Sequence, residues 1–106
     1  MISNGKKKRA SSLIWEAWQK GHALKDFPEE LGPSNRLEAY QIQMEYAGFS
    51  SKPIFGWKIA ATSEAGQKHI GVSAPIAGLL LRENIYTSGS KLIFENNRMA
   101  VAEPEF

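Results

Sequence analysis

The spacing of apolar residues changes about halfway along the chain. In the first half they recur every three or four positions, the period of a helix with one buried face. In the second half they form short runs of β-branched and aromatic residues, which favour strands. Helices in one half and strands in the other predict an α+β fold, with amino-terminal helices followed by a small β-sheet.

The first predicted helix starts at Ser11 or Ser12, and Ile14 and Trp18 follow at helical spacing. Trp15 and Trp18 are three positions apart. Aromatic residues at this spacing on a helix usually belong to a core, so we predict that both pack inside the protein.

The second predicted helix follows a connector at residues 24–33 that contains two prolines and a glycine. Asn35 and Glu38 have the spacing of a capping box, and Gly48 closes the pattern. The predicted buried face consists of Leu37, Tyr40, Met44 and Ala47. The predicted exposed face carries Glu38, Gln41 and Glu45.

Residues 54–59 are predicted to form a strand that has Lys58 inside it. Thr62 or Ser63 can cap a short helix that ends at Gly71. A lysine between apolar neighbours either extends to solvent or meets an anionic partner.

Further strands are predicted over residues 78–81, 92–94 and 99–106, the last two separated by the turn-forming Asn96 and Asn97. The last predicted strand runs to the final residue. We therefore expect the chain to stop before a carboxyl-terminal domain that would complete it.

Composition allows one small domain of 106 residues with a packed core, because 42% of the residues are hydrophobic. The absence of cysteine excludes disulfides and thiolate metal sites and is compatible with the cytoplasm, where we expect the protein. The sequence has no apolar run long enough for a membrane span, and its start does not resemble a secretory signal.

The net charge of +2 depends on a basic run at residues 6–9. We predict a flexible basic tail over residues 1–10 and a domain over residues 11–106. The run has no interleaved aromatic residue of the kind that stacks on bases, so we expect no nucleic-acid partner and keep binding by this tail as a lesser alternative.

Two carboxylates near the end of the chain are candidate metal ligands. Glu103 and Glu105 are two positions apart, and in a strand this spacing puts both side chains on one face. Hard divalent cations such as Mg²⁺ or Mn²⁺ prefer oxygen ligands. Taken alone, the pair is more often an exposed acidic end.

Other chemistries lack their residues. The two histidines, His22 and His69, stand far apart, and Asp26 is the only aspartate. There is no Gly-x-Ser-x-Gly motif and no glycine-rich phosphate loop. These absences argue against triad hydrolysis and nucleotide binding.

Two segments resemble a known enzyme family. Residues 56–63 read Gly-Trp-Lys-Ile-Ala-Ala-Thr-Ser and continue through Gln67, and they are similar to the Gly-x-Lys-Ile-Gly-x-Thr-Ser segment of 2-keto-4-pentenoate hydratases. Residues 97–106 resemble the strand that carries the family's Glu-x-Glu metal pair. The chain thus resembles the amino-terminal portion of the fumarylacetoacetate hydrolase superfamily over residues 11–106.

The resemblance implies that Glu103 and Glu105 are two of three carboxylate ligands to Mg²⁺ or Mn²⁺. It implies that Lys58 lies beside the carboxylate or keto oxygen of a small 2-keto acid. The third ligand and most of the pocket would follow the last residue of this chain. The chain alone would therefore be inactive and would need a carboxyl-terminal partner chain or a homo-oligomer.

One position departs from the family pattern, since Pro75 is followed by Ile76 where the family often has an acidic residue. This departure keeps a second reaction open, decarboxylation of a 2-keto acid. A third interpretation is a non-catalytic assembly module that pairs through its exposed last strand.

Overall fold

The structure is a computed structural model that describes residues 1–95 and 97–105 and divides into two compact units. The helical unit contains residues 1–49 together with the described residues from Ser88 onward. The sheet unit contains Ser50–Thr87. Helices and a small antiparallel sheet confirm the predicted α+β class.

The regular elements of the described residues are short. In chain order they are α1 (Asn4–Lys20), α2 (Arg36–Ala47), β1 (Ile54–Ala60), α3 (Glu64–Ile70) and β2 (Ile76–Leu81). Single 3₁₀ turns cover Glu29–Leu31 and Arg82–Asn84.

Helix α1 begins at Asn4, so the predicted start at Ser11 or Ser12 is wrong. The Ser3 side chain caps the helix by accepting a hydrogen bond from the Lys6 N–H at 3.3 Å. The basic run at residues 6–9, predicted as part of a flexible tail, is therefore helical. Gly21 ends the helix in the left-handed region at φ 64°, a conformation that glycine adopts without strain.

Helix α2 is anchored at its start by Asn35 and Glu38. The Asn35 side chain accepts from the Glu38 N–H at 3.0 Å, as the capping pattern predicts. The Glu38 carboxylate accepts from the Ile2 N–H at 2.9 Å and from the Ser34 N–H at 2.8 Å. The predicted exposure of Glu38 is wrong, since the residue is only 4% exposed.

The core of the helical unit lies between α1 and α2. Ala10, Leu31 and Ile42 are buried there, and the Ser11 hydroxyl donates to the Ile42 carbonyl. Positions along α1 meet increasing positions along α2, from Ser11 with Ile42 to Trp15 with Tyr46. The two helices therefore run in the same direction.

The predicted buried face of α2 is wrong. Leu37 is 67% exposed and Met44 is 48% exposed, while Glu38 and Ile42 face α1 instead. The reason is that the Glu38 carboxylate finds two backbone donors beside α1, which fixes the rotation of the helix. Buried hydrogen bonds thus override the apolar pattern.

The two tryptophans of α1 differ in their surroundings. Trp15 packs edge-on against Tyr46, with ring centroids 5.4 Å apart, and stacks on Phe49 at 5.9 Å. This confirms the predicted packing role of Trp15. The same prediction for Trp18 is wrong, because Trp18 is 61% exposed.

The sheet unit pairs β1 with β2 in antiparallel register, with Lys58 opposite Gly78 and Trp57 opposite Leu79. Both strands and α3 lie where the sequence predicts them. The Ser63 side chain caps α3 by accepting from the Gly66 N–H at 3.0 Å, and Gly71 ends the helix at φ 74°.

The strands predicted over residues 92–94 and 99–106 are wrong for the described positions, 88–95 and 97–105, where no strand forms. Asn96 and Phe106 lie outside the described residues. Asn97 does occupy a turn, since its N–H donates to the Phe94 carbonyl at 3.0 Å. A strand needs a neighbour for its hydrogen bonds, and no neighbour is available to this segment within the described chain.

Candidate functional site

Lys58 lies in the centre of β1 and is exposed. Because side chains alternate along a strand, Gly56 and Ala60 share its face of the sheet. Its partner across the sheet is Gly78. The residues on either side of Lys58 and opposite it are therefore among the smallest available, and they leave room for a small molecule beside the ammonium group.

The other face of β1 is apolar. Trp57 and Ile59 lie on it and are exposed, with Leu79 and Ala77 as their partners on β2. An exposed tryptophan and isoleucine on the reverse face give Lys58 no polar competitor there. The side of the sheet that carries charge is the Lys58 side.

A strained backbone position follows β1. Ala61 has φ 57°, a left-handed conformation that costs an L-residue energy. The Gln67 side chain donates from Nε2 to the Ala61 carbonyl at 3.0 Å and fixes this bend between β1 and α3. Sequence patterns gave no sign of the strain, because alanine is not a residue that marks such a turn.

The end of β2 carries a small polar cluster. The Arg82 guanidinium lies 4.7 Å from the centre of the Phe55 ring. The Ser50 hydroxyl donates to the Glu83 carboxylate at 2.8 Å. The backbone N–H of Glu83 itself and then the Ser50 hydroxyl lower the pKa of the Glu83 carboxyl below its ordinary value of 4.5. These contacts stabilise the rim of the sheet.

Glu103 and Glu105 lie in an irregular, exposed segment. The prediction that a strand holds both carboxylates on one face is wrong, since residues 101–105 have no strand geometry. Their role as metal ligands stays a prediction. Among the residues that the structure describes, no group of three acidic, histidine or cysteine side chains is arranged to hold a metal ion.

The predicted site residues belong to different units. Lys58 lies in the sheet unit, and Glu103 and Glu105 lie in the helical unit. None of the three helices in the described part of the chain has the length and apolar character that a membrane-spanning helix needs.

Comparison with known proteins gives one informative similarity. The chain is 28% identical over 104 residues to a protein named TodF product hydratase from Pseudomonas putida strain F1. The match covers 95% of this chain and 39% of the relative, so the chain spans well under half the length of the curated protein it matches. No protein-family model matches the sequence, and no solved structure matches it.

Proposed function

We propose that this chain is part of a hydratase that adds water to a 2-hydroxy-dienoate or 2-keto-enoate. The observation that carries the proposal is the similarity to a hydratase along 95% of the chain. The segment around Lys58 supports it, because it resembles the 2-keto-4-pentenoate hydratases and the fumarylacetoacetate hydrolase superfamily. The proposed substrate class is a small 2-keto acid in its keto or enol form.

In this proposal Lys58 binds the substrate's carboxylate or its keto oxygen. The ammonium group supplies positive charge where the enolate develops, which lowers the barrier to tautomerisation before water adds. Gly56, Ala60 and Gly78 leave space for the substrate on the Lys58 face. Gln67 is a positioning residue, since it holds the bend that follows Lys58's strand.

The family also implies Mg²⁺ or Mn²⁺, with Glu103 and Glu105 as two of its ligands. The described residues supply two exposed carboxylates and no third ligand, so they do not fit a complete metal centre. We therefore derive no catalytic step through a metal. A third ligand would have to come from a further segment or chain.

Decarboxylation is the second candidate. Ile76 opens β2 directly after Pro75, at a position where the hydratases often carry an acid. An isoleucine there offers no proton donor. Release of CO₂ from a 2-keto acid, measured in the same assay mixture, distinguishes decarboxylation from hydration.

The test is a chimera in which this chain replaces the matching 39% of the Pseudomonas hydratase. We expect the chimera to consume a 2-hydroxy-dienoate, followed by loss of its ultraviolet absorbance. Lys58→Ala in the chimera should lower kcat/KM on the order of 100-fold, as expected for loss of a charge-stabilising group. The isolated chain should show no turnover.

Lys68→Ala is the matched control, because Lys68 is an exposed lysine on α3 of the same unit. It should leave kcat/KM unchanged. A folded chimera without hydration or decarboxylation would contradict the proposal. Equal activity of the Lys58 and Lys68 variants would remove Lys58 from the site.

A further inference from the structure

Helix α2 presents an apolar stripe away from α1. It buries Glu38 and Ile42 towards α1 and leaves Leu37 and Met44 largely exposed. Tyr40 lies between them on the same side of the helix, being three positions after Leu37 and four before Met44. This is the spacing of the a and d positions of a heptad, which bury against a partner helix.

The stripe borders a shallow depression on the helical unit. The residues that line it are Lys7, Leu37, Tyr40, Gln41, Met44 and Glu45. We call this set the α2 seam. Its apolar residues come from α2 alone, and it also holds one cation, one carboxylate and one amide.

Two polar groups of the seam are buried. Lys7 is only 9% exposed. The Gln41 Oε1 atom is buried and has no hydrogen-bond partner among the described residues. A buried acceptor without a donor costs about 1–3 kcal/mol, so a partner that supplies a donor would stabilise this surface.

We propose that the α2 seam binds the same seam of a second copy of this chain, as an antiparallel α2–α2 pair across a two-fold axis. The proposal goes beyond the proposed hydratase function and does not depend on it. A two-fold axis between Tyr40 and Gln41 places Leu37 of each copy opposite Met44 of the other. It also brings the two Gln41 amides together at the axis.

Charge and hydrogen bonding identify the occupant as a second copy. An amide carries both a donor and an acceptor, so two Gln41 side chains can satisfy each other. Lys7 and Glu45 have opposite charges within one seam, so two copies pair each lysine with a glutamate of the other. A surface that contains both halves of each interaction is self-complementary.

The first test is sedimentation equilibrium of the 106-residue chain from about 1 μM to about 1 mM. The seam is small compared with a standard interface, so we expect a weak dimer with a Kd on the order of tens of micromolar. Leu37→Lys should raise that Kd at least about 10-fold. Leu24→Lys, the same change at an exposed leucine outside the seam, should leave it unchanged.

The second test uses charge reversal. Lys7→Glu and Glu45→Lys should each weaken self-association, because like charges then face each other across the axis. An equimolar mixture of the two variants should form a heterodimer as tight as the parent dimer. Lys8→Glu, an equal charge change at an exposed neighbour of Lys7, serves as the control.

Circular dichroism first establishes that each variant keeps the parent's helix content. If Lys7→Glu fails to fold, Leu37→Lys and Met44→Lys decide the question, because both positions are exposed in the monomer. A parent chain that stays monomeric at about 1 mM overturns the proposal. So does a dimer that survives both seam variants and is lost instead on Trp57→Ser in the sheet unit.

Discussion

Glu38 decides which side of α2 faces α1. It is almost fully buried, and its carboxylate accepts hydrogen bonds from the Ser34 and Ile2 N–H groups. These two donors, Ser34 first, lower the pKa of the Glu38 carboxyl below its ordinary value of 4.5. The ionised form is therefore the one that the fold stabilises.

The lowered pKa predicts a pH dependence of stability. A carboxyl whose pKa is lower in the folded state contributes stability that is fully present above pH 4.5 and is lost as the pH falls through the folded value. We expect urea unfolding of the parent to show a falling free energy of unfolding from about pH 5 to about pH 3.

Glu38→Gln should reduce this acid dependence and should lower stability at neutral pH, because the amide loses a charge-assisted acceptor. Glu64→Gln, at an exposed carboxylate with an unshifted role in the first turn of α3, should leave the acid limb as steep as in the parent. Parallel pH profiles for the parent and Glu38→Gln would contradict the assignment.

Ala61 gives a second prediction at this scale. Its left-handed φ of 57° is unfavourable for alanine and natural for glycine. Ala61→Gly should raise the free energy of unfolding by roughly 1 kcal/mol, measured by chemical denaturation. Ala60→Gly is the matched control, since Ala60 lies in β1, where glycine should lower stability.

At the scale of elements, local signals predicted the helices and strands better than their orientation. The caps at Asn35 and Ser63 and the terminal glycines act within one turn, so they are visible in the sequence. The rotation of α2 depends on Glu38 reaching the distant Ile2 backbone. No period in the sequence encodes such a contact.

The two units also differ in how much apolar surface their elements cover. Of the described hydrophobic residues that are buried, Ala10, Ala17, Leu31 and Ile42 belong to the helical unit, and Leu81 belongs to the sheet unit. A two-stranded sheet is marginally stable without a covering layer. The pairing of β1 with β2 should therefore open more readily than the packing of α1 on α2.

Hydrogen exchange measures this difference directly. We expect amides in β1 and β2 to exchange at least about 10-fold faster than those in the middle of α1 and α2, after correction for intrinsic rates. Local opening requires loss of fewer buried contacts in the sheet. Equal protection in both units would show that the sheet is covered in solution.

At the scale of the whole molecule, the sequence predicted the α+β class and the position of Lys58 on a strand. It failed for Glu103 and Glu105, whose predicted strand does not form. Strand propensity is a local property, but a strand exists only when a neighbour accepts its hydrogen bonds. The chain matches 39% of its relative, and the activity of a whole hydratase is a proposal for this part.

The parallel direction of α1 and α2 bears on how quickly the chain folds. A tight turn cannot join two parallel neighbours, so their contacts link residues far apart in sequence: Ile2 with Glu38 at a separation of 36, and Ser11 with Ile42 at 31. Closing such loops costs entropy before any contact rewards it, and high contact order slows folding. This helical pair should therefore collapse more slowly than an antiparallel helical hairpin of equal length.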